Sequence, residues 1–391
     1  MPVGPNRIGL LALDHDTTAL IVGGGIAGLT ASIALHHHGI DSLVFEQADD
    51  LGMVQGGSGV ALGYNASRAF RHLGVLDELA AVAAPIERFR FLTAKGKLLG
   101  SAHAMKDELA LGIRRPVFHK FLVDAAGSGR MRLGAKLVRF EQDDATVTAH
   151  FADGRSARGD FLIGADGLRS TVRAQLLGDS EPRYAGYCGR QGVVETETAR
   201  EALMITVLGR GECWRSYPVG RRWIYWTAGT NQPPGGKERG AEIKQKVLER
   251  FRGFPEPVEA LVEATDESNT FFADTYDRDP VKRWGEGRVT LLGDAAHPMT
   301  WNRGQGAGQG IEGAVLLAGA LAQSDDPVTT LREWEAERIP RTAKVVRAAR
   351  RNGQVELAEK LPARLLRNGA LRIMISDVGF ERQNKDLLVE Y

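Results

Sequence analysis

The sequence predicts an α/β protein in which a parallel sheet is interrupted by an antiparallel one and followed by helices. Three observations predict it. Strand, glycine turn, helix and second strand follow one another between Thr17 and Glu46, a βαβ succession that implies a parallel sheet. From Leu203 to Ala228 the pattern changes to short runs divided by turns, as in antiparallel sheet. A buried strand entering a second glycine-rich segment then returns at Arg288–Leu292.

The elements follow in order. Thr17–Val22 is apolar and β-branched, Ile26–His38 is apolar at helical spacing until Gly39 stops it, and Asp41–Glu46 is strand-like. Lys136–Phe140 and Thr146–Phe151 form a strand pair with Asp153-Gly154 as the following turn, and Phe161–Ile163 runs into Gly164-Ala165-Asp166-Gly167. The antiparallel region turns at Gly209-Arg210-Gly211 and at Pro218–Arg221, and Asn231–Gly240 is a loop. A helix is expected from about Gly306 to Ala322, and everything from Val328 onward reads as helix. There is no internal repeat.

Composition narrows the function. The 391 residues carry 50 Lys+Arg against 49 Asp+Glu, with no long basic run, so nothing marks a nucleic-acid partner. Two cysteines, Cys188 and Cys213, exclude a disulfide framework and point to a reducing compartment. Met1–Leu13 lacks the basic start and cleavage site of a signal peptide. Thr17–Leu35 is broken by Gly23-Gly24-Gly25 and Gly28, so no membrane span is expected. The expectation is a soluble cytoplasmic protein, monomer or homodimer. His36-His37-His38 point in different directions on a helix, so no metal is expected. No G-x-S-x-G provides a hydrolase nucleophile. Glycine, at 47 of 391 residues, is 12% against a typical ~7% and must serve turns or close backbone approach.

Gly23-Gly24-Gly25-Ile26-Ala27-Gly28 is a G-x-G-x-x-G between strand and helix. Gly23 permits the turn, Gly25 admits a pyrophosphate, Gly28 lets the helix pack on the strand, and the helix N–H groups face the phosphates. Glu46 closes the second strand, where a carboxylate can accept both hydroxyls of an adenosine ribose. This is a Rossmann-like dinucleotide site, and it does not by itself choose between FAD and NAD. Asp294 follows a buried strand at the carboxyl edge of the sheet, where ligands of such sheets bind. Gly304-Gln305-Gly306-Ala307 opens a helix whose positive end favours negative charge on a ligand.

Ile163-Gly164-Ala165-Asp166-Gly167-Leu168-Arg169 resembles the "DG" fingerprint of flavoprotein hydroxylases, and Leu291-Leu292-Gly293-Asp294-Ala295-Ala296-His297-Pro298 looks like their "GD" fingerprint. With the first glycine turn, these resemble the class A flavin monooxygenases, the para-hydroxybenzoate hydroxylase-like family, over about residues 17–325. The resemblance implies non-covalent FAD, reduction by NADH or NADPH, and O₂ adding at the flavin C4a to give a hydroperoxide that hydroxylates or epoxidises a small aromatic or polyketide-like substrate. A flavin oxidase or reductase of the same fold is the alternative. The implied FAD contacts are Gly23, Gly25, Ile26, Ala27, Gly28, Glu46, His119, Leu137, Asp166, Asp294, Gly304, Gln305, Gly306 and Ala307. Asp166 and Arg169 would link flavin to pyridine nucleotide, unless Asp166 pairs with Arg169 or Arg173. The one later G-x-G-x-x-G, Gly308–Gly313, falls inside the expected helix and not between a strand and a helix, so no second dinucleotide turn follows and NAD(P)H would bind transiently. The implied division is a discontinuous FAD domain at 1–85, 112–180 and 277–325, an antiparallel-sheet substrate domain at 86–111 and 181–276, and a helical segment at 326–391.

Four positions depart from that pattern. Trp301 stands for a second proline after Pro298, Gly308 for an asparagine, Gly313 for an acid, and His119 for an FAD-contacting arginine that Arg114 or Arg115 could replace. Pro298, Trp301 and Trp223 are expected on the substrate side, with Arg215 and Tyr225 as the catalytic side chains. Strand alternation puts Trp223 and Tyr225 on one face and Trp226 on the other.

Overall fold

A computed structural model describes residues 17–51, 58–385 and 387–391. The segment Met1–Leu13 lies outside them. The strands are β1 (Thr17–Val22), β2 (Ser42–Phe45), β3 (Gly59–Leu62), β4 (Ala84–Pro85), β5 (Arg88–Thr93), β6 (Leu98–His103), β7 (Leu111–Arg114), β8 (Met131–Arg132) and β9 (Leu137–Gln142). They continue as β10 (Val147–Phe151), β11 (Ser156–Gly164), β12 (Arg183–Glu195), β13 (Leu203–Leu208), β14 (Glu212–Pro218), β15 (Trp223–Asn231), β16 (Thr270–Asp277) and β17 (Val289–Leu291). The helices used below are α1 (Ile26–His37), α2 (Tyr64–His72), α3 (Leu76–Val82), α4 (Arg115–Ala126), α5 (Thr171–Leu177) and α6 (Gly240–Arg250). After them come α7 (Val258–Ala264), α8 (Gly306–Leu321), α9 (Pro327–Glu356), α10 (Leu361–Met374) and α11 (Asp377–Lys385).

The first sheet runs β8–β2–β1–β11–β10–β9, with β17 beside the end of β11. β1, β2, β8, β11 and β17 are parallel, and β9 and β10 turn back antiparallel. Ala19, Leu20 and Ile21 of β1 are wholly buried, because this strand is covered on both faces. α1 shows why its sequence is small and apolar throughout. It is wedged against α8, and a Cβ at Gly310 would lie 3.2 Å from the Cβ of Ala27. Helices that close tolerate nothing bulkier at the contact.

The second sheet runs β16–β12–β15–β14–β13–β5–β6. Its pairs are antiparallel except one: β5 lies parallel to β13, Arg88 beside Leu203. A purely antiparallel insert was expected, and the long connection from β5 to β13 through the first sheet permits the parallel pair. The strand β12 escapes the sequence pattern because Gly186, Gly189 and Gly192 interrupt it. Gly192 is there for space, since a Cβ would come 2.4 Å from the Trp226 ring on the next strand.

The sheet's two faces separate as alternation requires. Trp214 and Trp226 stack at 5.1 Å on the outer face, in a core completed by Ile243, Val247 and Phe251 on and beside α6 and by Leu261 of α7. Tyr217 and Tyr225 lie on the inner face with Tyr64 of α2 and Val219. The expected helix at Gly306–Ala322 is α8, ending at Leu321, and the C-terminal region is helical as read. Among the described residues no helix is long and apolar enough to cross a membrane.

Candidate active site

The first glycine turn is shaped by backbone alone. Gly23 has φ +109, and a Cβ there would stand 2.3 Å from the Ala165 carbonyl oxygen. A Cβ at Gly28 would stand 2.0 Å from the carbonyl oxygen of Gly23. Gly25 precedes α1, where no side chain caps the N–H groups of the first turn at Ile26 and Ala27, and it faces open space. Glu46 accepts hydrogen bonds from Gly24 N at 2.7 Å and Ala48 N at 2.9 Å, leaving each oxygen a further lone pair. His119, 3% exposed, donates from Nε2 to the Gly24 carbonyl at 2.8 Å. It braces the turn. Leu137 is core, so only its backbone could meet a ligand.

Among the described residues Asp166 pairs with neither Arg169 nor Arg173. It accepts from Ser170 Oγ, Thr171 N and Val172 N, capping α5, while burial pushes its carboxyl above the ordinary value. Arg169 is exposed and pairs with Glu181. Arg173 instead donates to the Ala295 carbonyl at 2.9 Å, tying this segment to the second glycine segment, and burial lowers its pKa to about 10.

In that second segment Gly293 takes φ +60, and a Cβ there would come 2.7 Å from Ala27 of α1. Asp294 keeps an exposed carboxyl, which the surrounding protein pushes above its usual pKa while Arg115 opposes the shift. Pro298 is buried, Gly304 takes φ +62, and α8 begins at Gly306 with no side-chain cap. The helix start is held from outside. Asn65 of α2 donates to Gln305 Oε1 at 3.2 Å and to Glu312 Oε2 at 2.9 Å. Glu312, wholly buried, pairs with Arg338 and Arg341 of α9, and Arg338 also reaches Gln309. A Cβ at Gly308 would lie 3.1 Å from Asn65 Oδ1. Asn65 of α2 thus takes the space that a side chain at Gly308 would need.

Above these segments lies the inner face of the second sheet. Tyr225 donates to Gln191 Oε1 at 2.9 Å, and Arg215 pairs with Glu356 of α9 at 2.9 Å. The Glu356 carboxylate outweighs the burial that would lower the Arg215 pKa, so the guanidinium stays charged. Trp301 donates to Thr275 Oγ1 at 3.1 Å, meets Tyr187 edge-on at 5.9 Å, and has the Arg215 guanidinium 5.6 Å over its ring. It stands against Gly229. Trp223 does not join it: six residues earlier on the same strand, roughly 20 Å away, Trp223 carries Arg114 stacked on its ring at 4.4 Å. Strand β3 bridges the two layers, with Gly59 against Tyr225 and Gly63 against Gln305. Asn65, Glu312, Arg338 and Glu356 were not anticipated, and their partners lie too far along the chain for spacing to reveal them.

Residues 16–349 match the FAD binding domain family. The chain belongs to that family. It is 37% identical over 376 residues, 95% of its length and 97% of the relative's, to the aurachin C monooxygenase/isomerase of Stigmatella aurantiaca. It is 34% identical to the 3-amino-4-hydroxybenzoate 2-monooxygenase of Streptomyces cremeus, over 87% of each chain. A structure of Klebsiella pneumoniae HpxO with FAD and uric acid superposes with a TM-score of 0.86 at 28% identity, covering 95% of both chains. This family member is therefore an FAD-dependent oxidoreductase of the class A flavoprotein monooxygenases. Its cradle fits the cofactor: open space at Gly25 before an uncapped helix, a buried carboxylate at Glu46 and an exposed one at Asp294.

Proposed function

We propose that this flavoenzyme takes electrons from NADH or NADPH and places one atom of O₂ on a small aromatic or polyketide-like molecule beneath the second sheet. One observation carries the reading: Gly59 stands against Tyr225 of the inner sheet face and Gly63 against Gln305 at the uncapped start of α8, while Trp301 stands under the same face beside Arg215, and we take the space between them as the substrate recess. Bound FAD supplies the redox chemistry toward O₂. Gly25, Ile26 and Ala27 hold its pyrophosphate, Glu46 its ribose hydroxyls and Asp294 its ribityl chain. The N–H groups of Gly306 and Ala307 favour negative charge on the reduced ring. The Trp301 indole gives the substrate a flat wall, worth about 0.5–1.5 kcal/mol beyond its buried area. Pro298 supports that wall, and Arg215 and Tyr225 face the reacting ring. Residues 86–111 and 181–276 act as the cover.

The only later G-x-G-x-x-G, Gly308–Gly313, lies within α8 and opens no second dinucleotide turn, which supports transient binding of NAD(P)H, and buried Cys188 and Cys213 outside any disulfide suit a cytoplasmic monomer or homodimer. The experiment is a screen of phenols and fused aromatics for compounds that accelerate NAD(P)H oxidation, followed by turnover under labelled O₂. Label in the product is expected. Product without label would replace this reading with the oxidase or reductase one.

A further inference from the structure

Glu356 closes the last turn of α9, 141 residues beyond Arg215, and its two oxygens are used in opposite directions. Oε1 takes Arg215 Nη2 from the sheet, and Oε2 takes Asn302 Nδ2 at 2.7 Å from the turn that carries Trp301. Arg215 Nε lies 3.3 Å from Thr206 Oγ1. The pair is mostly shielded, with side chains 15% and 13% exposed.

We propose that Glu356 sets the charge class of the substrate: by neutralising Arg215 it makes the recess select uncharged aromatic rings and reject their carboxylates. This rests on the reading above that the recess beside Trp301 takes the substrate. A free arginine over an aromatic wall is a ready anchor for a carboxylate, through paired charge-assisted hydrogen bonds. Here a substrate carboxylate reaching Arg215 must displace Glu356. It would leave that carboxylate buried without its partner and meet its negative charge at close range, a penalty that a neutral ring does not meet. Neighbouring cations do not restore the anchor. Arg114 is stacked on Trp223, Arg115 faces Asp294, and Arg367 donates to the Glu356 backbone carbonyl at 2.8 Å. A neutral ring needs no displacement; it stacks on Trp301 with the ion pair intact.

The test titrates FAD-loaded enzyme at pH 7 with 2-naphthol and with 3-hydroxy-2-naphthoate, reading the flavin absorbance change. These ligands differ by one carboxylate. Wild type should bind the naphthol at least about tenfold tighter, and Glu356→Gln should strengthen carboxylate binding by about tenfold while leaving the naphthol nearly unchanged. The conservative Glu356→Asp should keep the wild-type preference. The double variant Arg215→Gln/Glu356→Gln, which buries no unpaired charge, should return to the neutral ring. Equal wild-type affinities, or an unchanged ratio in Glu356→Gln, overturn the proposal while the aromatic reading stands. Should Glu356→Gln not fold, the wild-type ratio and the double variant decide. If neither ligand perturbs the flavin in any variant, the aromatic reading itself has failed and this proposal falls with it.

Discussion

Compared with the Gly23–Gly28 turn, where backbone packs on backbone within two neighbouring strands, the Gly304–Ala307 helix start is held by an amide from α2 and by charges from α9. At the first, a missing side chain is the structural device: Gly28 is tight against Gly23, and Gly23 against Ala165. At the second, Asn65, Gln309 and Glu312 form a polar cluster with Arg338 and Arg341, most of it buried. Both place unpaired helix N–H groups before a ligand. The difference teaches that a rigid anion cradle can be built from sterics or from desolvated charge, and the two should fail differently.

The sharpest way to break that contrast is Gly28→Ala. Its Cβ would meet a backbone oxygen at 2.0 Å, so the helix must shift. We expect a loss above ~4 kcal/mol and a colourless protein, since only exceptional substitutions cost so much. Denaturant unfolding and flavin content after acid precipitation measure it; full flavin occupancy would show that the turn is not steric. Next is Glu312→Ala, which strands Arg338 in a buried site and should cost about 3–5 kcal/mol by the same unfolding assay. Replacing both partners, Glu312→Leu with Arg338→Met, should recover much of that loss; a double variant as weak as the single would refute the charge argument.

The smallest effect is in pH. Burial, aided by Arg338, lowers the His297 pKa to about 3 from the ordinary 6.5, so the folded protein keeps it neutral. Below pH 6.5 the unfolded chain gains a proton that the folded one refuses, and stability falls as pH falls toward 3. Between pH 6 and pH 5 wild type should lose about 1 kcal/mol more than His297→Gln, with no difference in slope above pH 7. Parallel slopes below pH 6 would mean that His297 is solvated.

The first cradle was legible because all its requirements are local. Gly23, Gly25, Gly28 and Glu46 sit at fixed spacing in one βαβ unit, and spacing is what a sequence displays. The alternation that separates Tyr225 from Trp226 was legible for the same reason. The second cradle was legible only as a glycine-rich helix start. Its polar partners stand 247 residues before and 26 residues after Glu312's own position in the pairings Asn65–Glu312 and Arg338–Glu312, and no local pattern links them. The partner of Arg215 was not legible, because Glu356 lies 141 residues further on, in a region without motifs. Trp223 was placed on the face of Tyr225 by alternation and packs there, but its distance along β15 from Gly229, where Trp301 stands, was not visible in the sequence. The parallel β5–β13 pair stayed hidden because pairing direction depends on a connection, not on either strand.

The first sheet also carries a cost in time. β1 begins at Thr17, but its partner β11 ends at Gly164, and β11 in turn awaits β17 at Val289. A ribosome adding ~5–20 residues each second delivers Val289 roughly 15–55 s after Thr17. Through that interval the apolar β1 has no complete sheet to join, and Gly293 has not arrived beside Ala27. Cofactor capture is therefore among the last events of biosynthesis. Until Val289 arrives the chain carries unpaired strand edges, the feature that chaperones and proteases compete for.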